Sequence, residues 1–197
     1  MAETKLNPYP SRSLFLGIDP GRKGGAGIVD DQGACVHSWR WKDSDPLYTW
    51  YHLCEYRDLL INIYIEAVRL FPALPKNVLL NTQALLLNAG RWMGMLDVLQ
   101  VPYQLISVDE WQAHYNLTRW RKRKARIDRV LTQGHVKLSP HTPGPTTPLS
   151  LARTFWPQAP LKTQADDGMA VGLLLADMAR QHHLQNFKPQ PQTELWP

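Results

Sequence analysis

The stretch that decides the fold is LFLGIDPGRKGGAGIV, residues 14–29. Its first five residues form an apolar run that is typical of a strand covered on both faces. The Pro20-Gly21 pair and the glycines at positions 24 and 25 predict a turn. The apolar residues that follow return as a second strand. The stretch therefore predicts a β-hairpin with Asp19 at the end of its first strand.

Asp19 at this position has two interpretations. A carboxylate at the end of a rigid strand is a good metal ligand, because holding it in place costs little further entropy. The neighbouring glycines would also let a phosphate backbone approach closely. However, Asp-Pro-Gly is an ordinary turn sequence, and this segment alone leaves both interpretations open.

Composition limits the class of protein. The chain has 197 residues, of which 44% are hydrophobic, so we expect one globular domain with a substantial core. No apolar run is long enough to span a bilayer, and residues 1–13 lack the apolar segment of a signal peptide. Cys35 and Cys54 lack metal-type spacing and are interpreted as buried, reduced thiols of a cytosolic protein. The net charge of +5 fits a polyanionic partner without identifying one.

The order of the predicted elements is three strands, helix, strand, helix, strand and then helices. This order predicts a mixed sheet with helices on both faces. Strands are predicted at 33–41, 60–66 and 103–108 after the first hairpin, and helices at 47–60, 81–100, 109–115, 149–156 and 163–181. Gly90 and Gly94 on the 81–100 helix are predicted to let another backbone pack closely. The expected organisation is a flexible N-terminus at 1–13, one folded domain at 14–181 with a basic and Pro-rich insert at about 117–148, and a disordered tail at 182–197.

Four carboxylates are candidates for chemistry. Asp19 ends the first strand and Glu66 ends the 60–66 strand, so both emerge at one edge if those strands are neighbours. Asp166 and Asp167 open the last helix, where capping explains one acid better than an adjacent pair. Clustered carboxylates repel one another unless a cation lies among them, and Mg²⁺ and Mn²⁺ prefer oxygen ligands. Two such ions can activate a water and stabilise the leaving oxygen of a phosphodiester.

Four segments, in this order, resemble the RuvC-type Holliday junction resolvases of the RNase H-like superfamily: residues 17–21 (GIDPG), 65–68 (IEAV), 89–96 (AGRWMGML) and 166–176 (DDGMAVGLLLA). The resemblance implies an α/β fold, an RNase H-like mixed five-stranded sheet flanked by helices. It implies metal ligation and catalysis by Asp19, Glu66 and Asp167, with Asp166 as a further catalytic and metal-binding candidate. Which of the two adjacent aspartates is the main ligand stays open at this stage. Val171 stands where the family usually has another acid, about one helical turn on.

The same resemblance implies an activity and its setting. We expect a Mg²⁺-dependent endodeoxyribonuclease, with Mn²⁺ able to substitute, acting in DNA recombination and repair. It would work as a homodimer and resolve four-way DNA junctions by paired symmetric nicks that leave 5′-phosphates. The expected location is the cytoplasm of a bacterial or phage-infected cell, in association with the nucleoid.

Basic and aromatic residues are candidates for DNA contact. Residues 119–126 contain six basic side chains and no acidic one, which favours phosphate binding over a merely solvated helix face. Cations that lie beside the candidate acids in the sequence are candidates for binding the phosphates of the cleaved strand. Phe71, in a Pro-containing loop, is predicted either to stack on or wedge between junction bases or to be a core residue. The seven histidines show no metal-ligand spacing. The candidate DNA-contacting cations are Arg22, Lys23, Arg119, Arg121, Lys122, Arg123, Lys124, Arg126 and Lys162.

Two other functions stay open at this stage. Val171 and the basic insert fit a junction-binding architectural protein with a weakened active site. The Asp-x-Gly hairpin also occurs in actin-like nucleotide-binding proteins, although the chain is short for their two lobes.

Overall fold

The computed structural model describes residues 13–41, 46–68, 76–117 and 147–186, with the backbone alone for 76–81. Phe71, the six cations of residues 119–126, residues 1–12, most of the predicted insert and the end of the predicted tail lie outside the described residues. The described chain follows the order β1 (Leu14–Asp19), β2 (Gly25–Asp30), β3 (Cys35–Arg40), α1 (Pro46–Tyr56), a 3₁₀ turn (Arg57–Leu59), β4 (Leu60–Glu66), α2 (Lys76–Leu99), β5 (Gln104–Ile106), α3 (Val108–His114), α4 (Pro148–Phe155), a second 3₁₀ turn (Gln164–Asp166) and α5 (Asp167–Asn186).

The five strands form one mixed sheet in the order β3-β2-β1-β4-β5. The first three strands pair antiparallel, whereas β1 with β4 and β4 with β5 pair parallel. This is the mixed sheet with flanking helices that the sequence predicted. The parallel pairing of β1 and β4 places their C-terminal ends at the same edge of the sheet.

Alternating residues of each strand fill a separate core on each face of the sheet. On one face, Leu16 and Ile18 belong to a cluster with Trp92 and Leu96 of α2. On the other face, Phe15 of β1 belongs to a cluster that contains most of α5. The interior of α5 is buried from Gly168 to Ala179, so this helix is covered on nearly all sides.

Glycines allow α5 to lie directly against the first hairpin. A Cβ atom at Gly17 would stand 2.0 Å from the carbonyl oxygen of Gly172, and one at Gly168 would stand 2.5 Å from backbone atoms of Gly24 and Lys23. Gly24 and Gly168 also form a parallel bridge. The beginning of α5 is therefore held against the turn that follows β1.

Some sequence expectations need correction. Helix α2 begins at Lys76, five residues earlier than predicted, and α5 continues to Asn186, so residues 182–186 are helical rather than part of a disordered tail. The Nδ1 atom of His182 lies 2.8 Å from the Tyr64 hydroxyl, which ties this last turn to the sheet.

Two expected packing relations also differ. A Cβ atom at Gly90 or Gly94 would meet nothing within 4 Å among the described residues, so these glycines admit no neighbouring backbone from the described parts of the chain. Cys54 is exposed rather than buried, and Cys35 is half-buried. Burial raises the pKa of the Cys35 thiol to about 11. None of the helices in the described residues combines the length and hydropathy needed to cross a membrane.

Candidate active site

Asp19 and Glu66 occupy corresponding positions at the ends of neighbouring parallel strands. Ile18 of β1 pairs with Ile65 of β4, and the two acids follow directly. Two positions earlier on each strand, and therefore on the same face as the acids, Gly17 pairs with Tyr64. Because Gly17 faces α5 and side chains alternate along a strand, both carboxylates lie on the α5 face at this edge.

The Asp19 carboxylate is held in an unfavourable environment for its charge. Its Oδ1 atom accepts a hydrogen bond of 2.8 Å from the Gly21 N–H. Burial raises the pKa of Asp19 to about 6, the Gly21 hydrogen bond opposes the rise, and the negative charge of Asp167 adds to it. This environment favours either a proton or a cation beside Asp19.

Asp167 is the first residue of α5 and retains solvent contact. Desolvation by surrounding atoms nevertheless raises the pKa of Asp167, and a hydrogen bond from the Leu149 N–H partly offsets that rise. The bridge between Gly24 and Gly168 places Asp167 beside the turn after β1. Asp167 and Asp19 are thus close enough to repel each other, although they come from opposite ends of the chain.

Glu66 has an aromatic partner that the sequence did not reveal. The indole Nε1–H of Trp111, which is 2% exposed, donates a 2.9 Å hydrogen bond to Glu66 Oε2. Trp111 lies on α3, and the Ala67 N–H donates to the Ile106 carbonyl at 2.8 Å, which ties the end of β4 to β5. Trp111 is a core residue, and its polar edge also orients a candidate metal ligand.

Asp166 is buried and makes a different set of hydrogen bonds from its neighbour Asp167. It is 1% exposed, and its oxygens accept hydrogen bonds from the Lys162 and Thr163 N–H groups at 2.7 Å, the Thr163 hydroxyl at 3.3 Å and Arg40 Nε at 2.7 Å. Arg40 Nη2 is a further donor and completes an ion pair. Burial alone would raise the pKa of Asp166, but the hydrogen bonds from Thr163, Arg40 and Lys162 hold it below its usual value.

These contacts give Asp166 a structural part in this arrangement. Its side chain closes the 3₁₀ turn just before α5 through a capping box with Thr163. Arg40 stands at the end of β3, in register with Gly25, so the ion pair joins the edge of the sheet to the helix start. The adjacent acids that the sequence grouped together are therefore held in two different ways.

Several cations surround this edge. Arg22 and Lys23 are exposed in the turn after Asp19, and Lys162 is exposed just before Asp166. The Arg40 side chain is 47% exposed while it binds Asp166. Arg40 lies 126 residues from Asp166 in the chain, so no local pattern in the sequence indicates that it joins this edge. Four cations beside repelling carboxylates fit a surface that accepts a phosphate backbone.

The donor set fits a hard divalent cation. Asp19, Glu66 and Asp167 offer carboxylate oxygens, which Mg²⁺ and Mn²⁺ prefer, and the two aspartates gain from a neutralising charge. In the part of the chain that the structure describes, no three His, Cys, Asp or Glu side chains form a ready-made metal cluster. Val171 of α5 is 6% exposed and belongs to the hydrophobic core. Its side chain is apolar, so this position supplies no metal ligand.

Comparison with known proteins supports the fold alone. No family model and no curated protein match this sequence. Among solved structures, the chain is similar to T. thermophilus RuvC in complex with a Holliday junction substrate, with a TM-score of 0.50 and 12% sequence identity. The similarity covers 87% of this chain and 96% of the RuvC chain. The five-stranded mixed sheet with flanking helices is thus an RNase H-like fold.

Proposed function

We propose that this protein is a metal-dependent, structure-selective DNA endonuclease that resolves four-way junctions by paired symmetric nicks. The observation that carries the proposal is the placement of Asp19, Glu66 and Asp167 at one edge of the sheet, among exposed cations. A shared fold does not establish a shared activity. The likeness to the junction-bound RuvC structure supports the substrate class only in combination with this site.

In this proposal each group at the edge has a distinct part. Asp19, Glu66 and Asp167 hold Mg²⁺ or Mn²⁺, which when bound supplies an activated water and stabilises the leaving oxygen. Trp111 orients Glu66. The cations Arg22, Lys23 and Lys162 bind phosphates on either side of the cut.

The positioning of Asp167 depends on Asp166. Asp166 and Arg40 fix the start of α5, and Asp167 is the next residue along. Because water is the nucleophile, no side chain becomes covalently linked to DNA. We assign metal binding to Asp167 rather than Asp166, since the oxygens of Asp166 are engaged by Arg40, Lys162 and Thr163.

Two symmetric cuts require two sites, and we propose that a homodimer supplies them. On the outer face of α2, Leu87 is 58% exposed and Val98 is 72% exposed. Gly90 and Gly94 lie between them and meet open space among the described residues. Residues spaced by three or four positions share one face of a helix, so these four form an apolar strip. Removing such a strip from water favours association with a second copy.

A second candidate is a junction-binding protein that does not cut. The buried Val171 at a usual ligand position favours this alternative, as does the lack of a ready-made three-acid cluster in the described residues. Such a protein would use the cations of the edge to bind DNA, and the carboxylates would no longer hold metal in a productive geometry.

The deciding experiment incubates the protein with an end-labelled synthetic four-way junction or matched duplex, in Mg²⁺, Mn²⁺ or EDTA, and reads the strands on a denaturing gel. We expect paired symmetric cuts in the junction only, lost in EDTA. Asp19→Asn and Glu66→Gln should slow cutting by more than the roughly 10–100-fold that outer-shell partners of a metal cost. Asp58→Asn, exposed near the opposite end of β4, is the matched control.

Each outcome selects between the candidates. Cutting at the wild-type rate by Asp19→Asn or Glu66→Gln would overturn the proposed site. Intact strands despite a tight and junction-selective complex would support the binding protein instead. Equal affinity for junction and duplex would contradict both.

A further inference from the structure

The short helix α3 carries Trp111, and its C-terminal end is tied to α5. Tyr115, the residue that follows α3, donates its backbone N–H to the Trp111 carbonyl oxygen at 3.3 Å. Its hydroxyl is the donor to two acceptors on α5, the Leu174 carbonyl oxygen at 2.8 Å and Asp177 Oδ2 at 3.0 Å. Tyr115 therefore connects α5 to the residue that donates to Glu66.

Asp177 is a fixed acceptor for this tyrosine. It is 6% exposed, and its Oδ1 atom accepts hydrogen bonds from Arg180 Nε and Nη2 at 3.0 and 2.7 Å. Its Oδ2 atom accepts from Gln181 Nε2 at 2.6 Å in addition to Tyr115. Charge-assisted hydrogen bonds from several directions hold a carboxylate in one orientation. Burial and the charge of Asp177 raise the pKa of Tyr115, so its hydroxyl stays protonated and remains a donor.

A second contact holds the end of α3 against the same helix. His114 Nε2 lies 3.1 Å from Gln181 Oε1. Because Nε2 of Gln181 donates to Asp177, its Oε1 is the acceptor for the imidazole N–H. The chain then turns at Asn116, whose φ of 57° lies in the left-handed region that asparagine tolerates, and continues to the buried Leu117. The last turn of α3 is thus fixed to α5 at two points.

The helix that holds α3 also carries a candidate metal ligand. Asp167 begins α5, and Asp177 lies on the same helix, about 15 Å further along at 1.5 Å per residue. The helix is buried from Gly168 to Ala179, so both aspartates belong to one element that is packed on nearly all sides. The position of Asp167 depends on α5 directly, whereas that of Glu66 depends on it through the contacts at the end of α3.

We propose that Tyr115, held by Asp177, is a positioning residue that keeps the Trp111 indole directed at Glu66. Without the Tyr115 hydroxyl, the last turn of α3 loses its contact with α5, and the indole hydrogen bond weakens. Glu66 is then less restrained in the orientation that faces the other two acids. The consequence for metal binding rests on the proposed function, whereas the link between Tyr115 and Trp111 does not.

The first test is hydrogen–deuterium exchange of the indole N–H groups, followed by NMR in EDTA for the wild type and Tyr115→Phe. Loss of a signal in Trp111→Phe identifies that indole. The internal reference is Trp39, whose indole donates to Thr49 Oγ1 at 3.3 Å on the other face of the sheet. We expect Tyr115→Phe to accelerate exchange at Trp111 about 3–10-fold and to leave Trp39 unchanged. Tyr51→Phe, which removes the hydroxyl of a tyrosine that is 66% exposed, is the matched control and should change neither rate.

The second test is the calorimetric affinity for Mn²⁺ of the wild type, Tyr115→Phe, Trp111→Phe and the double variant. Tyr115→Phe should weaken Mn²⁺ binding about 3–10-fold in the wild type and less than about twofold in the Trp111→Phe background, because its effect passes through the indole. A merely structural role for Tyr115 would lower stability in both backgrounds. It would not make the loss of metal affinity depend on Trp111.

Three results would overturn the positioning role: unchanged exchange at Trp111, equal acceleration at Trp111 and Trp39, or equal losses of Mn²⁺ affinity in the two backgrounds. Failure of the proposed function has a different signature, in which the wild type binds no Mn²⁺ and cuts no junction. The exchange test, made without metal, then decides the role of Tyr115. Should Tyr115→Phe not fold, Gln181→Met replaces it with the same measurements, since it removes the half-buried amide between α3 and α5.

Discussion

Asp19→Asn and Asp166→Asn should change stability in opposite directions when metal is absent. The structure gives these carboxylates opposite environments: Asp19 is desolvated and repelled by Asp167, whereas Asp166 is paired with Arg40 and backbone N–H groups. Neutralising Asp19 removes an unfavourable charge. Neutralising Asp166 removes the acceptor on which a buried network depends.

The loss at Asp166 follows from its hydrogen bonds. In either orientation of an asparagine amide at position 166, the NH₂ group would face a donor, either Arg40 or the N–H groups of Lys162 and Thr163. Breaking a fully buried ion pair costs about 3–5 kcal/mol. The Arg40 side chain is 47% exposed, so water can solvate it and reduce the loss. We therefore expect Asp166→Asn to lower the free energy of unfolding by about 2–4 kcal/mol.

The gain at Asp19 follows from its pKa, which burial raises from 3.8 to about 6. One pKa unit corresponds to about 1.4 kcal/mol, and the Gly21 N–H would donate a weaker hydrogen bond to a neutral amide oxygen than to a carboxylate, which subtracts from the gain. Asp19→Asn should therefore add about 1–3 kcal/mol to the free energy of unfolding at about pH 7.5. The folded pKa exceeds the unfolded one, so the folded state binds the proton more tightly. The charge of Asp19 therefore destabilises the wild-type fold fully above about pH 6 and not at all below about pH 4. The stability that Asp19→Asn adds should accordingly disappear on acidification.

The assay is urea unfolding followed by tryptophan fluorescence in EDTA at about pH 7.5, repeated at about pH 4.5. With a slope of about 2 kcal/mol per molar urea, in the middle of the usual range of about 1–3, the midpoint should fall by about 1–2 M for Asp166→Asn and rise by about 0.5–1.5 M for Asp19→Asn. Asp58→Asn, on the exposed 3₁₀ turn, should change stability by less than about 0.5 kcal/mol. A neutral or stabilising Asp166→Asn would refute the structural role of Asp166 and make it equivalent to Asp19.

Three further predictions test packing, ligand orientation and proton competition. Gly17→Ala should destabilise the fold by about 3 kcal/mol or more, because its Cβ would stand 2.0 Å from a carbonyl oxygen of α5. In the single chain, a Cβ at Gly90 would meet nothing within 4 Å among the described residues, so Gly90→Ala should stabilise the helix by up to about 1 kcal/mol. Thermal unfolding of both variants at a protein concentration that keeps the chain monomeric measures the contrast. Trp111→Phe should slow junction cutting about 10–100-fold by removing the hydrogen bond to Glu66, and Mg²⁺ titration of the cutting rate should show a weaker apparent affinity. Mg²⁺ affinity should fall by up to about tenfold per pH unit below about 6, because a proton competes for Asp19; affinity that does not vary between about pH 5 and pH 7 would contradict this assignment.

The sheet could be predicted because its strands carry strong local signals. β4 occupies Leu60–Glu66, as its β-rich run predicted, and the Pro-Gly and Gly-Gly pairs mark the turn of the first hairpin. Helix ends were less predictable. Residues 182–186 look like a polar tail, but the contact between His182 and Tyr64 extends α5 through them. A tertiary contact of this kind leaves no periodic pattern in the sequence.

The candidate site was predictable in its acids and not in their partners. Asp19 and Glu66 each end an apolar strand, so sequence alone places both at strand termini. Trp111 and Arg40 gave no comparable signal, because a tryptophan in an amphipathic helix and an arginine at the end of an edge strand are both ordinary. Their importance comes from long-range contacts, 45 residues apart for Trp111 with Glu66 and 126 for Arg40 with Asp166.

The different environments of Asp166 and Asp167 have a common geometric cause. Asp166 ends the 3₁₀ turn and Asp167 begins α5, so the change of helical form between them directs their side chains differently. The next residue must be glycine, since a Cβ at 168 would stand 2.5 Å from the Lys23 carbonyl oxygen. A larger residue would push the helix start away from the turn after β1 and separate Asp167 from Asp19. In the sequence Asp-Asp-Gly, Asp166 thus fixes the start of α5 and Asp167 is the candidate metal ligand. Gly168 allows the close packing that brings Asp167 to the sheet.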